Sequence, residues 1–347
     1  MRLKVDQDLD ENKDGGGQRN STGESLNRFK EERFMFSSFK KKSYTVFTCA
    51  LLAGSILFAG CGGSQSEKKQ EAASGEVTIG FSVSTLNNPF FVDVRDGAKE
   101  AADKDGTKLM IMDAQNDASK QMSNIENMIQ QKVSVLIVNP VDSKAIVPAI
   151  EAANKANIPV ITVDRGADGG SVVTNIASDN VAGGKMAAEL IAEKLGNKGN
   201  VVELEGIPGT SAANDRGKGF DDAIKAVSGI TLVSKQPADF DRAKGMKVME
   251  NILQATPDIQ AVFAQNDEMA LGAMEAIQAA NRKDIIIVGF DATDDAQKAV
   301  QAGSMLATVA QQPKEMGKVS IEIAKKILAK EQVDTFIPVK LELITKK

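Results

Sequence analysis

The sequence predicts an α/β protein made of two doubly wound parallel-sheet lobes. From Val77 onward, short apolar runs alternate with amphipathic stretches, the pattern of βαβ units. The runs begin near Val77, Lys108, Val133, Pro159, Val172, Asn200, Thr231, Ala261, Ile285 and Ala307, too many for one small sheet, and 347 residues suffice for two domains. Several runs also end on polar side chains. In an open parallel sheet, ligands sit beyond the carboxyl ends of the strands.

Before the first strand comes an address. Residues 1–34 are polar and aperiodic and read as a disordered or non-translated extension, with translation starting at Met35. Lys40, Lys41 and Lys42 then precede an apolar stretch from Tyr44 to Ala59, so residues 35–60 read as a secretory signal, too short for a membrane-spanning helix. Leu57-Phe58-Ala59-Gly60-Cys61 resembles the bacterial lipobox, which implies lipidation of Cys61 and a membrane anchor; Phe58 departs from the usual leucine. Residues 61–75 are rich in Gly, Ser, Gln, Lys and Glu, as a flexible tether should be. The alternative for Cys61 is a buried thiol at the end of a core helix.

Between the strand-like runs, the stretches Gln121–Gln131, Ala182–Leu195, Ala243–Gln254 and Lys314–Leu328 carry apolar residues at helical spacing. In the last, Met316, Val319, Ile323 and Ile327 share one side. Ala177-Ser178-Asp179-Asn180, between a strand and the next helix, is the expected crossover between lobes.

Composition narrows the chemistry. The chain has no histidine, which removes the usual general base and the commonest metal ligand. Its cysteines, Cys49 and Cys61, both precede the folded part, leaving it no thiol nucleophile or cysteine metal site. A net charge of −5 argues against a nucleic-acid partner. Gly183-Gly184-Lys185 is followed by Met186, without the hydroxyl a P-loop needs, and Gly206-Ile207-Pro208-Gly209-Thr210 lacks the dinucleotide spacing. No cofactor is expected.

What collects at the run ends is amides, carboxylates and guanidinium groups: Asn139, Asp164 with Arg165, Gln265 with Asn266, Asp291 and Gln311. These groups suit holding a polar small molecule. At this point the chain resembles a family. Ser84-Thr85-Leu86-Asn87-Asn88-Pro89-Phe90-Phe91, Ile161-Thr162-Val163-Asp164-Arg165, Gln236-Pro237-Ala238-Asp239-Phe240-Asp241-Arg242, Ala264-Gln265-Asn266-Asp267-Glu268-Met269-Ala270 and Val288-Gly289-Phe290-Asp291 are similar to the periplasmic ribose-binding proteins. The likeness runs from about Val77 to the C-terminus.

The resemblance implies a type I periplasmic binding protein: two lobes joined by three strands, a sugar between them, and delivery to an ABC permease, with no enzymatic step. The lobes are expected at 76–178 plus 312–340 and at 179–311 plus 341–347. Carried over by motif, the ligand contacts are Asn88, Phe90, Phe91, Asp164, Arg165, Arg216, Phe240, Asn266, Asp291 and Gln311; Asn214-Asp215 before Arg216 departs from the family's commoner residues. The chemistry agrees. A pentose hydroxyl both donates and accepts, so Asp accepts, Arg donates, and Asn or Gln does both, while phenyl rings pack on the sugar's carbon faces. Arg165 and Arg216 would neutralise Asp164 and Asp291.

Taken singly, each residue has a plainer alternative. Phe90 and Phe91 suit a core, Asp164-Arg165 a surface turn, and Asn266 or Asp291 a helix N-cap. The expected ligand is D-ribose, with another pentose, allose or the furanose-like autoinducer-2 as alternatives. The expected partners are the permease and the membrane through Cys61, with a chemoreceptor left open, and the chain is expected to be a monomer. A transcriptional regulator with the same core fold would need a helix-turn-helix where the signal and tether lie. A sugar-processing enzyme could use Asp164 and Asp291, but the neighbouring arginines are expected to depress both pKa values and leave no proton donor.

Overall fold

The computed structural model describes residues 77–347. The 1–34 extension, the 35–60 signal and the tether with Cys61 lie outside the described residues.

The first half alternates strand and helix: β1 (Thr78–Val83), α1 (Pro89–Asp103), β2 (Lys108–Asp113), α2 (Ala118–Gln130), β3 (Val135–Val138), α3 (Val147–Lys155), β4 (Val160–Val163) and β5 (Thr174–Ser178). The second half repeats the pattern with α4 (Asn180–Lys194), β6 (Gly199–Glu205), α5 (Ser211–Lys225), β7 (Ile230–Pro237), α6 (Arg242–Ala255), β8 (Ala261–Ala264), α7 (Asp267–Ala279), β9 (Ile286–Asp291), α8 (Asp294–Ala302) and β10 (Ala307–Ala310). Then come α9 (Pro313–Leu328), β11 (Phe336–Val339) and β12 (Glu342–Thr345).

Among the described residues these form two six-stranded sheets, in the orders β11-β5-β4-β3-β1-β2 and β12-β10-β9-β8-β6-β7. All pairings are parallel except β10 with β12. Each sheet reverses direction beside its first strand, at β1/β3 and β6/β8, which opens a crevice there. Both faces of each sheet are covered, so successive residues of β3 are all apolar yet enter different cores. Val135 and Ile137 pack under α1 and α9, while Leu136 and Val138 pack with α2 and α3 residues. The second sheet is divided in the same way between its two apolar clusters.

The chain passes between the lobes at Ser178–Asn180, at 311–313 and at 340–341. The middle passage is secured by α9, which returns to pack on α1. At their crossing Gly97 faces the Lys314 carbonyl and Gly317 faces the Val94 carbonyl, so close that a Cβ on either glycine would overlap backbone.

Helices α2, α4 and α6 begin before the apolar periodicity does, because Asp117, Asp179 and Asp241 accept hydrogen bonds from the first helical amides. The alternation also misses β11 and β12. Both are short and largely exposed, and Pro338 cannot donate to a ladder, which suits an edge strand.

Candidate functional site

The first lobe builds its half of the site at the ends of β1, β3 and β4. Asn88 caps α1, its Oδ1 accepting from the Phe90 amide at 2.9 Å, with Pro89 in the first turn. This cap fixes Phe90 and Phe91, whose rings meet edge to face at 5.2 Å. The plainer reading of the phenylalanines therefore also holds: both join the first lobe's core.

Asp164, just past β4, has φ +64, a left-handed conformation that Asp tolerates better than most residues. Its Oδ2 lies 3.7 Å from Arg165 Nε and accepts from Asn139 Nδ2 at 3.4 Å. Arg165 also donates to the Pro140 carbonyl at 3.1 Å, and its guanidinium lies 5.0 Å from the Phe91 ring and 5.3 Å from the Phe240 ring. Both residues are buried, so the pair is not a surface turn.

The second lobe contributes from α5, the β7–α6 loop and the ends of β8, β9 and β10. Arg216 donates from Nε to Asn180 Oδ1 at 2.8 Å and from Nη1 to the Gln265 carbonyl at 2.7 Å, with its guanidinium 3.8 Å from the Phe290 ring centre. Its Nη1 is 3.7 Å from Asp291 Oδ1, which accepts from Gln311 Nε2 at 2.8 Å. Asn266 caps α7 by accepting from the Met269 amide, and its Nδ2 donates to the Phe240 carbonyl at 3.4 Å. Phe240 has φ +58, and its ring lies against Gly206, where a Cβ would overlap it.

These ten residues, Asn88, Phe90, Phe91, Asp164, Arg165, Arg216, Phe240, Asn266, Asp291 and Gln311, line one pocket between the lobes. One further lining residue, Ala212 at the start of α5, carries no polar group that sequence reasoning could single out. Two strand-end amides stay outside it. Asn139 accepts from the Ser84 amide and donates to the Val163 carbonyl; Gln265 accepts from the Gly206 amide and donates to Glu203 Oε1. Each staples together the loops at its sheet's reversal point.

The expected pKa directions for the carboxylates are wrong. Burial raises Asp164 despite Arg165, Arg216 and Asn139, and raises Asp291 well above the usual carboxylate range despite Arg216. Removing a carboxylate from water outweighs cations held at 3.7 Å. Burial likewise pushes Arg165 down to about 10 and lowers Arg216.

Three buried side-chain atoms of the pocket have no hydrogen-bond partner among the described residues: Asp164 Oδ1, Arg165 Nε and Gln311 Oε1. Two are acceptors and one is a donor, and buried polar atoms normally find partners. Such a set is complementary to a molecule that donates and accepts from several adjacent positions.

Beside the pocket the lobes touch directly. The Ser143 amide donates to the Gly209 carbonyl at 3.0 Å, the Ser211 amide to Ser143 Oγ at 3.1 Å, and the Gly166 amide to Ser211 Oγ at 2.8 Å. Ser143 Oγ in turn donates to the Gly166 carbonyl at 2.8 Å. The lobes are thus closed on one another.

A model of the family described as periplasmic binding protein domain matches residues 79–332. A Haemophilus influenzae protein named ribose import binding protein RbsB is 50% identical over 304 residues, covering 88% of this chain and 99% of its own length. The Bacillus subtilis protein of the same name is 54% identical over 272 residues, covering 78% and 88%. A Bacillus halodurans ABC transporter solute-binding protein, solved with bound myo-inositol, superposes with a TM-score of 0.76 at 36% identity, covering 79% of this chain and 96% of that one.

Proposed function

We propose, from the premise that the chain belongs to the periplasmic binding protein domain family, that it captures D-ribose between its lobes and delivers it to an ABC permease. The protein is a binding protein rather than an enzyme; relatives 50% and 54% identical are named as import binding proteins. Their names support ribose as the ligand. The observation that carries the reading is the set of partnerless buried atoms Asp164 Oδ1, Arg165 Nε and Gln311 Oε1, since a pentose hydroxyl can satisfy either an acceptor or a donor.

The ten pocket residues would act in three groups. Asp164, Arg165, Arg216 and Asp291 hold hydroxyls through charge-assisted bonds. Asn88, Asn266 and Gln311 complete the set with amides. Phe90, Phe91 and Phe240 cover the carbon faces of the ring. Because both lobes contribute, only the closed form makes every contact, so ribose shifts the open–closed equilibrium by its differential affinity for the two forms. The closed surface is then what the permease meets.

The family supports an extracytoplasmic location, and the lipobox-like Cys61 supports a lipid anchor. Mass spectrometry of the mature N-terminus tests the anchor: a diacylated Cys61 is expected, and an unmodified or uncleaved terminus rejects it.

Calorimetry with the mature protein across ribose, other pentoses, allose and autoinducer-2, paired with small-angle scattering, tests the ligand. Ribose should bind tightest and compact the protein. Tighter binding of another sugar would reassign the ligand, and no binding by any of them would reject the reading.

A further inference from the structure

We propose that Asp267, Thr293 and Thr308 form a buried clamp that aims the Asp291 carboxylate into the pocket, making them positioning residues that touch no ligand. The proposal deepens the sugar-binding reading and rests on it for its affinity readout.

The backbone at the end of β9 calls for such a device. Asp291 has φ +117 and Ala292 has φ +59, two consecutive residues with side chains in a region that favours glycine. Backbone of this kind persists only where its surroundings over-determine it. The surroundings here come from two other elements. Thr308, on β10, accepts from the Ala292 amide at 3.2 Å and donates to Asp267 Oδ1 at 2.7 Å. Asp267 Oδ2, at the first residue of α7, accepts from the Thr293 amide at 2.7 Å and from the Thr293 hydroxyl at 3.2 Å. Asp267 and Thr308 are both fully buried, and neither lines the pocket. Gly289 makes room for the arrangement, since a Cβ there would overlap Asp267 Oδ1.

The clamp thus holds both residues that follow Asp291, by their amides, and leaves its carboxylate to meet Arg216 and Gln311. Asp267 also follows Asn266, a pocket residue and the cap of α7, so one helix start carries a lining group and the anchor of another.

Thr308→Val removes the hydroxyl with little change of shape, and Thr308→Ser keeps it. We expect Thr308→Val to weaken ribose binding about tenfold and Thr308→Ser to stay within about twofold of the parent. In an Asp291→Ala background Thr308→Val should add almost nothing, an outcome that a merely structural role would not produce. Crystal structures of the two Thr308 variants give a readout independent of any sugar: Asp291 should leave its positive φ in the valine variant and keep it in the serine one. Unchanged Asp291 geometry in the valine variant, or equal weakening with and without the Asp291 carboxylate, would overturn the clamp. If the parent protein binds no ribose, the ligand reading falls, and the Asp291 backbone in the two structures still decides the clamp.

Discussion

The Ser211 amide donates to the Ser143 hydroxyl at 3.1 Å across the cleft, and neither residue lines the pocket. Closure is therefore favoured in part by lobe-to-lobe bonds that no ligand supplies. Ser211→Ala deletes the acceptor for the Gly166 amide. One such bond contributes about 1 kcal/mol net, so the closed form should be less populated and ribose affinity about two- to tenfold weaker. Calorimetry checks the affinity and scattering the ligand-free dimensions; no change in either would mean that the contact does not bias closure.

Charge removal within the pocket should cost far more. Arg165→Ala strands Asp164, which already carries one partnerless oxygen, and Asp291→Ala strands Arg216 beside the Phe290 ring. Each variant should fold and lose about 2–5 kcal/mol of ribose binding, much of it the penalty of leaving a buried charge unpaired. Near-normal titrations for both would reject this pocket as the sugar site.

Gly206→Ala probes the Phe240 platform. The added methyl would overlap the Phe240 ring, which lies on the Gly206 backbone and has its own backbone at φ +58. The ring must move, and loss of its packing should weaken ribose binding by about 1–3 kcal/mol. A structure with Phe240 unmoved and affinity unchanged would contradict this.

Stability should fall as pH rises across the weakly acid range. Burial pushes Asp267 up to about 7, against the hydrogen bonds from Thr308 and Thr293. Between its ordinary value of 3.8 and about 7, the folded state holds a proton that the unfolded chain has released. The native state therefore binds more protons there, and stability drops by at most about 1.4 kcal/mol per pH unit from this group. Asp267→Asn should flatten the decline without abolishing it, because Glu203, also pushed up to about 7 by burial, and the raised Asp164 and Asp291 contribute limbs of the same sign. Urea denaturation from pH 4 to pH 8 measures both slopes, and equal slopes would refute the assignment to Asp267.

Much of the site was legible because strand ends are marked in the chain. Apolar runs stop at Asp164, Asn266, Asp291 and Gln311, and all four line the pocket. The same signal marks Asn139 and Gln265 equally well, yet those side chains turn back onto the loops at β1/β3 and β6/β8. Position along a run gives the end of a strand. It does not give the direction of the side chain, which depends on φ and on the neighbouring strand. Ala212 carries no mark in the sequence, and the Asp164 and Asp291 shifts run opposite to expectation because the presence of arginines is visible in a chain while depth of burial is not.

The sequence by itself determined the alternation of strand and helix, the two-lobe α/β architecture and the residue types gathered at the strand ends, because periodicity and local chemistry are written along one dimension. Only the tertiary structure decided that Ser143 meets Ser211, that Asp267 and Thr308 hold the turn after Asp291, and that burial outweighs the arginines. Those outcomes depend on distances between segments far apart in the chain and on the water that folding removes, and neither is encoded at any single position.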